Sequence, residues 1–204
     1  MGYTIHMALA PRLIIATRNA HKTAEIRAAI GDEYEVLDAN AFPRCPEIEE
    51  TGTTFLENAR LKALGISKVL SGWVLSDDSG LEVDALDGAP GVYSSSYGGE
   101  EGNHTLNNER LMKEMEGRED RTCRFRCTMV LARDGCEQGH FTGAVEGCLI
   151  EEQRGGKGFG YDPLFVPDGY DQTFAELGTE AKNRLSHRAR ALQQAVEFLL
   201  QHGQ

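Results

Sequence analysis

Two adjacent carboxylates, Asp77 and Asp78, directly follow the apolar stretch Trp73-Val74-Leu75. In α/β proteins ligands collect outside the carboxyl ends of strands, and Mg²⁺ takes oxygen ligands from one or two carboxylates plus substrate phosphates. The position therefore predicts a magnesium site at a strand end. The run Asp77-Asp78-Ser79-Gly80 also has the composition of a turn, and for this run alone the turn is the commoner interpretation.

A candidate phosphate site lies near the start of the chain. The apolar run Leu13-Ile14-Ile15-Ala16 leads into the segment 17–22 and then a helix-favouring stretch, which predicts a strand, a turn and a helix start. Free N–H groups and the helix dipole favour an anion there, and Arg18 and Lys22 add positive charge. Asn19 as a simple helix cap explains the same segment equally well.

An acidic loop, Glu47-Ile48-Glu49-Glu50-Thr51-Gly52, precedes a second helix. Thr54 and Glu57 have the spacing of a capping box, which marks the start of that helix. Lys62 falls at the edge of its apolar face, where it is either solvated or reaches into a neighbouring cleft. One glutamate of the loop could add a second carboxylate for a cation.

A glycine-rich segment, 155–163, contains two aromatic rings, Phe159 and Tyr161, that are suited to stacking on a base. Further on, Lys182 and the triplet Ser186-His187-Arg188 precede a helix. Cations oppose the dipole at a helix N-terminus, and such conflicts collect at functional sites, which indicates recognition of an anion or a polar group. When such residues are exposed, however, the conflict costs only ~0.3–1 kcal/mol and is tolerated.

The middle of the chain predicts an antiparallel hairpin. Apolar and polar residues alternate from Cys123 to Leu131, and a similar segment, Phe141 to Ile150, follows a turn at Asp134-Gly135. The sheet should therefore be mixed rather than purely parallel. Asn103 to Met115 reads as a helix.

The whole chain has 204 residues and a formal net charge of -11. This length fits one domain with a substantial core, and the charge disfavours nucleic-acid polymers and anionic membranes as partners. The five cysteines are odd in number and lack a CxxC pair, so we expect reduced thiols rather than a disulfide framework or a zinc site. No leader segment is evident, and we expect a cytoplasmic protein with a disordered tail at residues 1–11.

Five blocks occur in order between Leu13 and Leu200: ATRNAHK, EETGTTFLENA, SDDSGL, GFGYDP and SHR. Together they resemble the inosine triphosphate pyrophosphatase family, also called dITP/XTP pyrophosphatases. The resemblance implies an α/β fold with an elongated mixed sheet flanked by helices, and two lobes around a central nucleotide cleft within residues 12–204. It also implies a homodimer that uses Mg²⁺ to hydrolyse non-standard purine nucleoside triphosphates (ITP, dITP, XTP) to the monophosphate and pyrophosphate.

The resemblance assigns roles to individual residues. Asp78 is implied as general base and, with Glu49, as a magnesium ligand, and Lys62 as a catalytic residue near the phosphates. The implied substrate-binding residues are Thr17, Arg18, Asn19, Ala20, His21, Lys22, Ser79, Phe159, Gly160, Tyr161, Asp162, Lys182, His187 and Arg188. This chain departs from the family at Ser95-Ser96, where Ala-Arg is common.

The base pocket implied by the resemblance has a physical basis for selectivity. Inosine and xanthine carry a carbonyl oxygen at position 6, which Arg188 and a suitable His187 tautomer would donate to, whereas adenine carries an amino donor. Guanine has the same carbonyl, so its rejection needs another cause. Two alternatives are a pyrophosphatase for pyrimidine or modified nucleotides and a catalytically silent nucleotide-binding sensor.

Overall fold

A single six-stranded mixed sheet, in the order β2-β1-β3-β4-β5-β6, organises the protein. The computed structural model describes residues 11–202, apart from the side chains of His21, Thr179 and Asn183. The strands are β1 (Arg12–Ile15), β2 (Glu35–Asp38), β3 (Trp73–Val83), β4 (Thr122–Arg133), β5 (Cys136–Leu149) and β6 (Phe165–Pro167). The α-helices are α1 (Ala20–Ile30), α2 (Phe55–Ser67), α3 (His104–Glu114), α4 (Phe174–Leu185) and α5 (His187–His202).

The predicted strand end at Asp77 is wrong, because β3 continues through the acidic run to Val83. The parallel pairing of β3 with β1 does stop early, at the pair Ile15↔Leu75. On its other edge, β3 pairs antiparallel with β4 along its whole length. Strand β4 thus keeps the acidic segment extended, and the two aspartates lie beyond the carboxyl end of β1 in the middle of a strand.

Helices cover both faces of the sheet. Helices α1 and α5 pack on one face, where Ile26 and Leu192 meet residues such as Leu75 and Met129. Helix α2 packs on the other face, where small side chains such as Ala59 and Ala63 allow close contact with β4. The predicted mixed sheet flanked by helices is confirmed.

The predicted hairpin is also confirmed. Its strands are longer than the segments of alternating apolar and polar residues from which it was predicted. Strands β4 and β5 pair antiparallel from Thr122↔Cys148 to Arg133↔Cys136. The turn residues Asp134 and Gly135 have φ angles of 52° and 77°, which is the left-handed conformation that a tight hairpin turn uses.

Capping residues in the sequence correctly predicted where three of the helices begin. Thr54 and Glu57 form the predicted capping box of α2. Asn103 caps α3 by accepting from the backbone N–H of Leu106, and Asn19 accepts at 3.3 Å from the N–H of Lys22 in the first turn of α1. Helix α4 and the short strands β2 and β6 lie outside the sequence-based predictions.

The other whole-chain expectations have mixed outcomes. The predicted tail, residues 1–11, lies outside the described residues except for Pro11. All five cysteines are free thiols, of which Cys45, Cys123 and Cys127 are buried. Within residues 11–202, no helix has the length and apolar character needed to cross a membrane.

Gly143 permits the close approach of α5 to β5. A Cβ atom there would lie 2.2 Å from the backbone oxygen of His187 and 2.7 Å from the nitrogen of Ala191. Both atoms belong to helix backbone, so α5 as a whole would have to move. We therefore expect Gly143→Ala to lower the free energy of unfolding by about 1–3 kcal/mol, measured by urea denaturation.

Gly156→Ala is the matched control, because a Cβ there meets nothing within 4 Å. Equal stability of Gly143→Ala and Gly156→Ala would contradict the packing argument.

Candidate active site

A cleft of about 700 Å³ opens beyond the carboxyl ends of β1 and of the parallel part of β3. Residues from all five sequence blocks line it. The sequence-predicted residues among the lining are Thr17, Arg18, Asn19, Lys22, Lys62, Asp78, Ser79, Phe159, Gly160, Tyr161, Asp162, Lys182, His187 and Arg188. The fold therefore brings together segments that are far apart in the chain.

Asp78 faces α2 and contacts Lys62. The Lys62 Nζ lies 3.5 Å from Asp78 Oδ1 and 2.7 Å from a carboxylate oxygen of Glu50. The other Asp78 oxygen, Oδ2, is buried and has no hydrogen-bond partner among the described residues. A buried carboxylate oxygen without a donor is open to a cation or to a proton.

Burial raises the pKa of Asp78 to about 6; the positive charge of Lys62 opposes this rise, and Glu50 adds to it. Burial lowers the pKa of Lys62, but Asp78, Asp77 and Glu50 outweigh that effect, so its pKa lies above the ordinary value. Lys62 is therefore a buried, charged ammonium held between carboxylates.

Asp77 points to the opposite face of the sheet, toward α1 and α5, because side chains alternate along a strand. Its Oδ2 lies 3.0 Å from Lys22 Nζ and 3.4 Å from Arg188 Nε. Burial would raise the pKa of Asp77, but Lys22 and Arg188 outweigh it and hold the pKa well below the usual range. Asp77 is therefore an ionised carboxylate inside the protein.

Arg188 is buried in the first turn of α5, and carboxylates fix its guanidinium. It donates to Glu25 at 2.6 Å, to Asp77 at 3.4 Å and to the hydroxyl of Ser79 at 3.2 Å. A guanidinium has five N–H donors, so these three contacts leave two that bind no other described residue. The positive charge of Arg188 opposes the helix dipole at the start of α5. The carboxylate of Glu25, on α1, compensates this charge.

Phe159 also lines the cleft, and two cations lie close to its ring. Lys182 Nζ is 4.0 Å from the ring centroid and the Arg188 guanidinium carbon is 5.9 Å from it. Lys182 also donates at 2.6 Å to Asp162, which accepts the Phe159 backbone N–H at 2.9 Å. This buried pair fixes the loop that presents the aromatic ring.

His187 is buried and its ring stacks on Phe125, with centroids 5.0 Å apart and planes 12° from parallel. Burial lowers its pKa well below the ordinary value, and the charges of Arg188 and Lys182 add to the effect. The imidazole is therefore neutral. Its Nδ1 has no hydrogen-bond partner among the described residues.

The segment before α1, for which the sequence predicts a phosphate site, lines the cleft. Thr17 Oγ1 accepts the N–H of Asn19 at 3.1 Å, and Arg18 donates to the backbone oxygen of Cys45 at 3.2 Å. Ala20 begins α1 and is not part of the lining, and the side chain of His21 lies outside the described part of the structure.

Two other residues of the predicted binding site, Tyr161 and Gly160, make hydrogen bonds within the protein. Tyr161 packs in the core and donates from its hydroxyl to the backbone oxygen of Ser94 at 2.9 Å. The carbonyl of Gly160 accepts from Asn108 at 3.1 Å. Both contacts fix the loop around Phe159.

The acidic loop contributes to the cleft through Glu47 and Glu50, whereas Glu49 is exposed and is not part of the lining. Within the described residues, no three His, Cys, Asp or Glu side chains come close enough together to hold a metal ion. A cation would thus need substrate oxygens or water besides the carboxylates, which is how Mg²⁺ is usually held. The assignment of Glu49 stays a prediction.

Glu25 and Glu50 were not predicted as partners of Arg188 and Lys62. The resemblance gave a site role to Asp78 and none to Asp77. Glu25 lies three residues after Lys22 and so on the same face of α1, which was a usable signal. The contact of Glu50 with Lys62 crosses from a loop to a helix, and no local pattern marks it.

Fold and site together are those of an α/β protein with a ligand cleft at the carboxyl ends of its parallel strands. Residues 13–198 match the Ham1 family. A Bacillus licheniformis protein named dITP/XTP pyrophosphatase is 48% identical over 190 residues, which cover 92% of this chain and 97% of that protein. A Geobacter sulfurreducens protein of the same name is 47% identical over 184 residues, covering 89% and 92%.

Solved structures agree with these matches. The Staphylococcus aureus Ham1 protein superposes with a TM-score of 0.86 at 37% identity, covering 93% of this chain and 98% of that one. A HAM1 protein from Coxiella burnetii gives 0.86 at 36% identity, covering 94% and 99%. This chain belongs to the Ham1 family, and the resemblance drawn from the five sequence blocks is confirmed.

The buried pair of Lys182 and Asp162 supplies a prediction about stability. Their side chains are 6% and 2% exposed, so removing the cation leaves a buried carboxylate without its charged partner. We expect Lys182→Met to lower the free energy of unfolding by about 3–5 kcal/mol, measured by chemical denaturation.

The control is Arg184→Met on the same helix, where the pair with Glu180 is 72% and 90% exposed. An exposed pair of this kind contributes about 0.5 kcal/mol or less. An equally small loss of unfolding free energy in both variants would show that the buried pair of Lys182 and Asp162 does not stabilise the loop.

Proposed function

We propose that this protein hydrolyses non-standard purine nucleoside triphosphates (ITP, dITP and XTP) to the monophosphate and pyrophosphate with the help of Mg²⁺, and so clears them from the nucleotide pool. The observation that carries the proposal is the buried Oδ2 of Asp78, which has no hydrogen-bond partner within the described part of the chain and lies at a cleft that Lys22 and Lys62 also line. The names of the relatives support the same activity.

The residues of the cleft suit a magnesium ion. Asp78 offers a free carboxylate oxygen, and the acidic loop places further carboxylates at the cleft through Glu47 and Glu50. Asp78 and a glutamate of this loop, which the resemblance assigns as Glu49, would hold the ion. When bound, Mg²⁺ would neutralise charge on the triphosphate.

The residues of the chain supply the remaining chemistry. Asp78 also accepts the proton of the water that attacks the α-phosphorus, since burial raises its pKa to about 6 and makes the carboxylate a stronger base than an exposed one. Lys22 and Lys62 lower the energy of the negative charge that develops on the departing pyrophosphate. Both ammonium groups are held near their positions by aspartates of β3 before substrate arrives.

Base selection follows from donors fixed in the pocket. Arg188 has two N–H groups left after its protein contacts, and the carbonyl oxygen at position 6 of hypoxanthine or xanthine accepts from such a donor. Adenine presents an amino donor at that position, so a donor faces a donor and the mismatch is penalised. Guanine carries the same carbonyl, so these donors alone do not distinguish it from hypoxanthine.

Two finer expectations, the homodimer and the cytoplasmic location, stay predictions. The homodimer rests on the family resemblance, and the cytoplasmic location rests on the free thiols and the sequence pattern.

The substrate class is tested by measuring pyrophosphate release from ITP, XTP, dITP, GTP, ATP, dTTP and UTP, with Mg²⁺ and with EDTA. We expect IMP, XMP and dIMP to form only with Mg²⁺, with at least tenfold lower kcat/KM for ATP. Preference for dTTP or UTP would point instead to a pyrimidine pyrophosphatase, and binding without turnover to a sensor.

The role of Asp78 is tested by Asp78→Asn, which keeps the shape of the side chain and removes its basicity and charge. We expect kcat for ITP to fall by about 10²-fold or more. Glu82→Gln, on the same strand but outside the cleft and paired with Arg126, should retain wild-type kcat. Near-normal turnover by Asp78→Asn would refute its role as the base.

A further inference from the structure

Asp77 is more deeply buried than Asp78 and has a different place in the site. Its side chain is 1% exposed, and it is not part of the cleft lining, although Asp78, Ser79 and Gly80 are. Asp77 therefore acts on a ligand only through the residues it touches.

Those residues come from two different helices, and both line the cleft. Asp77 Oδ2 contacts Lys22 of α1 at 3.0 Å and Arg188 of α5 at 3.4 Å, while its Oδ1 has no hydrogen-bond partner among the described residues. Lys22 adjoins the Thr17 segment at the proposed triphosphate end. Arg188 adjoins Phe159 at the proposed base end. One carboxylate oxygen is thus shared between the two ends.

The sharing makes the two cations depend on each other. In a buried setting, charge interactions are poorly screened, so moving one cation removes its repulsion of the other and leaves the shared oxygen to hydrogen-bond the other alone. When a bound phosphate attracts Lys22 away from Asp77, Arg188 remains as the cation that contacts this carboxylate. Arg188 is then held more firmly in the orientation that Glu25 and Ser79 also define.

We infer that Asp77 is a positioning residue that couples the two ends, so that phosphate bound near Lys22 strengthens binding of the base near Arg188. This inference rests on the proposed function, because the two ends are those of a nucleoside triphosphate. Coupling of this kind is reciprocal: the base must strengthen phosphate binding by the same factor.

The test uses two ligands that together resemble the substrate and occupy different parts of the cleft. Inosine probes the base end and pyrophosphate probes the phosphate end. Inosine affinity is measured by NMR titration with and without saturating pyrophosphate and Mg²⁺. In the wild-type protein we expect pyrophosphate to tighten inosine binding at least about fivefold. In Asp77→Asn we expect the factor to fall to about one.

Glu82→Gln is the matched control, because it removes a carboxylate from the same strand outside the cleft and should keep the wild-type factor. A second variant, Lys22→Met, tests the inference in case Asp77→Asn does not fold. Lys22→Met leaves Asp77 to Arg188 alone, so it should bind inosine without pyrophosphate as tightly as the wild-type protein does with it.

The outcomes separate the two proposals. If the wild-type protein hydrolyses ITP but Asp77→Asn keeps the wild-type factor, or Lys22→Met leaves inosine affinity unchanged, the coupling is overturned and the proposed function stands. If the wild-type protein hydrolyses no nucleoside triphosphate and binds no inosine, both fail. Loss of stability alone in Asp77→Asn, with the factor retained, would identify Asp77 as merely structural and overturn the inference.

Discussion

The alternation of side chains along β3 is the constraint on which the site depends. Neighbouring residues of a strand point to opposite faces, so Asp77 faces α1 and α5 while Asp78 faces α2. Each face then supplies its own cations, Lys22 and Arg188 on one side and Lys62 on the other. Two adjacent carboxylates that would repel each other if they shared a pocket are thereby separated by the sheet itself and serve different purposes.

The cost of burying these charges explains why they occur in pairs. An ionised group inside a protein loses several kcal/mol of solvation unless a partner of opposite sign and hydrogen bonds replace the water. Asp77, Asp78, Asp162 and Arg188 all have a partner of opposite charge, although Asp77 and Asp78 each keep one carboxylate oxygen that has no hydrogen-bond partner among the described residues. A buried pair stabilises little on balance, so this density of charge at one cleft is better explained by ligand binding than by folding.

Features that depend on neighbouring residues were predictable from the sequence, and features that depend on pairing between distant segments were not. The capping box at Thr54 and the turn at Asp134-Gly135 are local, and both were located correctly. The end of β3 was misplaced because pairing with β4, some fifty residues later, keeps the Asp-Ser-Gly run extended against its turn propensity. The contact between Glu25 and Arg188 joins the first and last helices, and only the packing of α1 beside α5 brings it about.

That contact also bears on how a pocket of this kind would distinguish bases. Glu25 and Asp77 balance the charge of Arg188, and three contacts fix its plane. The guanidinium then acts on a ligand as an oriented set of donors rather than as a free positive charge. His187 is neutral for a related reason, since burial and the nearby cations disfavour its protonation. Under the proposed function, selectivity arises from donors that cannot turn away from a mismatched amino group, because the carboxylates behind them hold their direction.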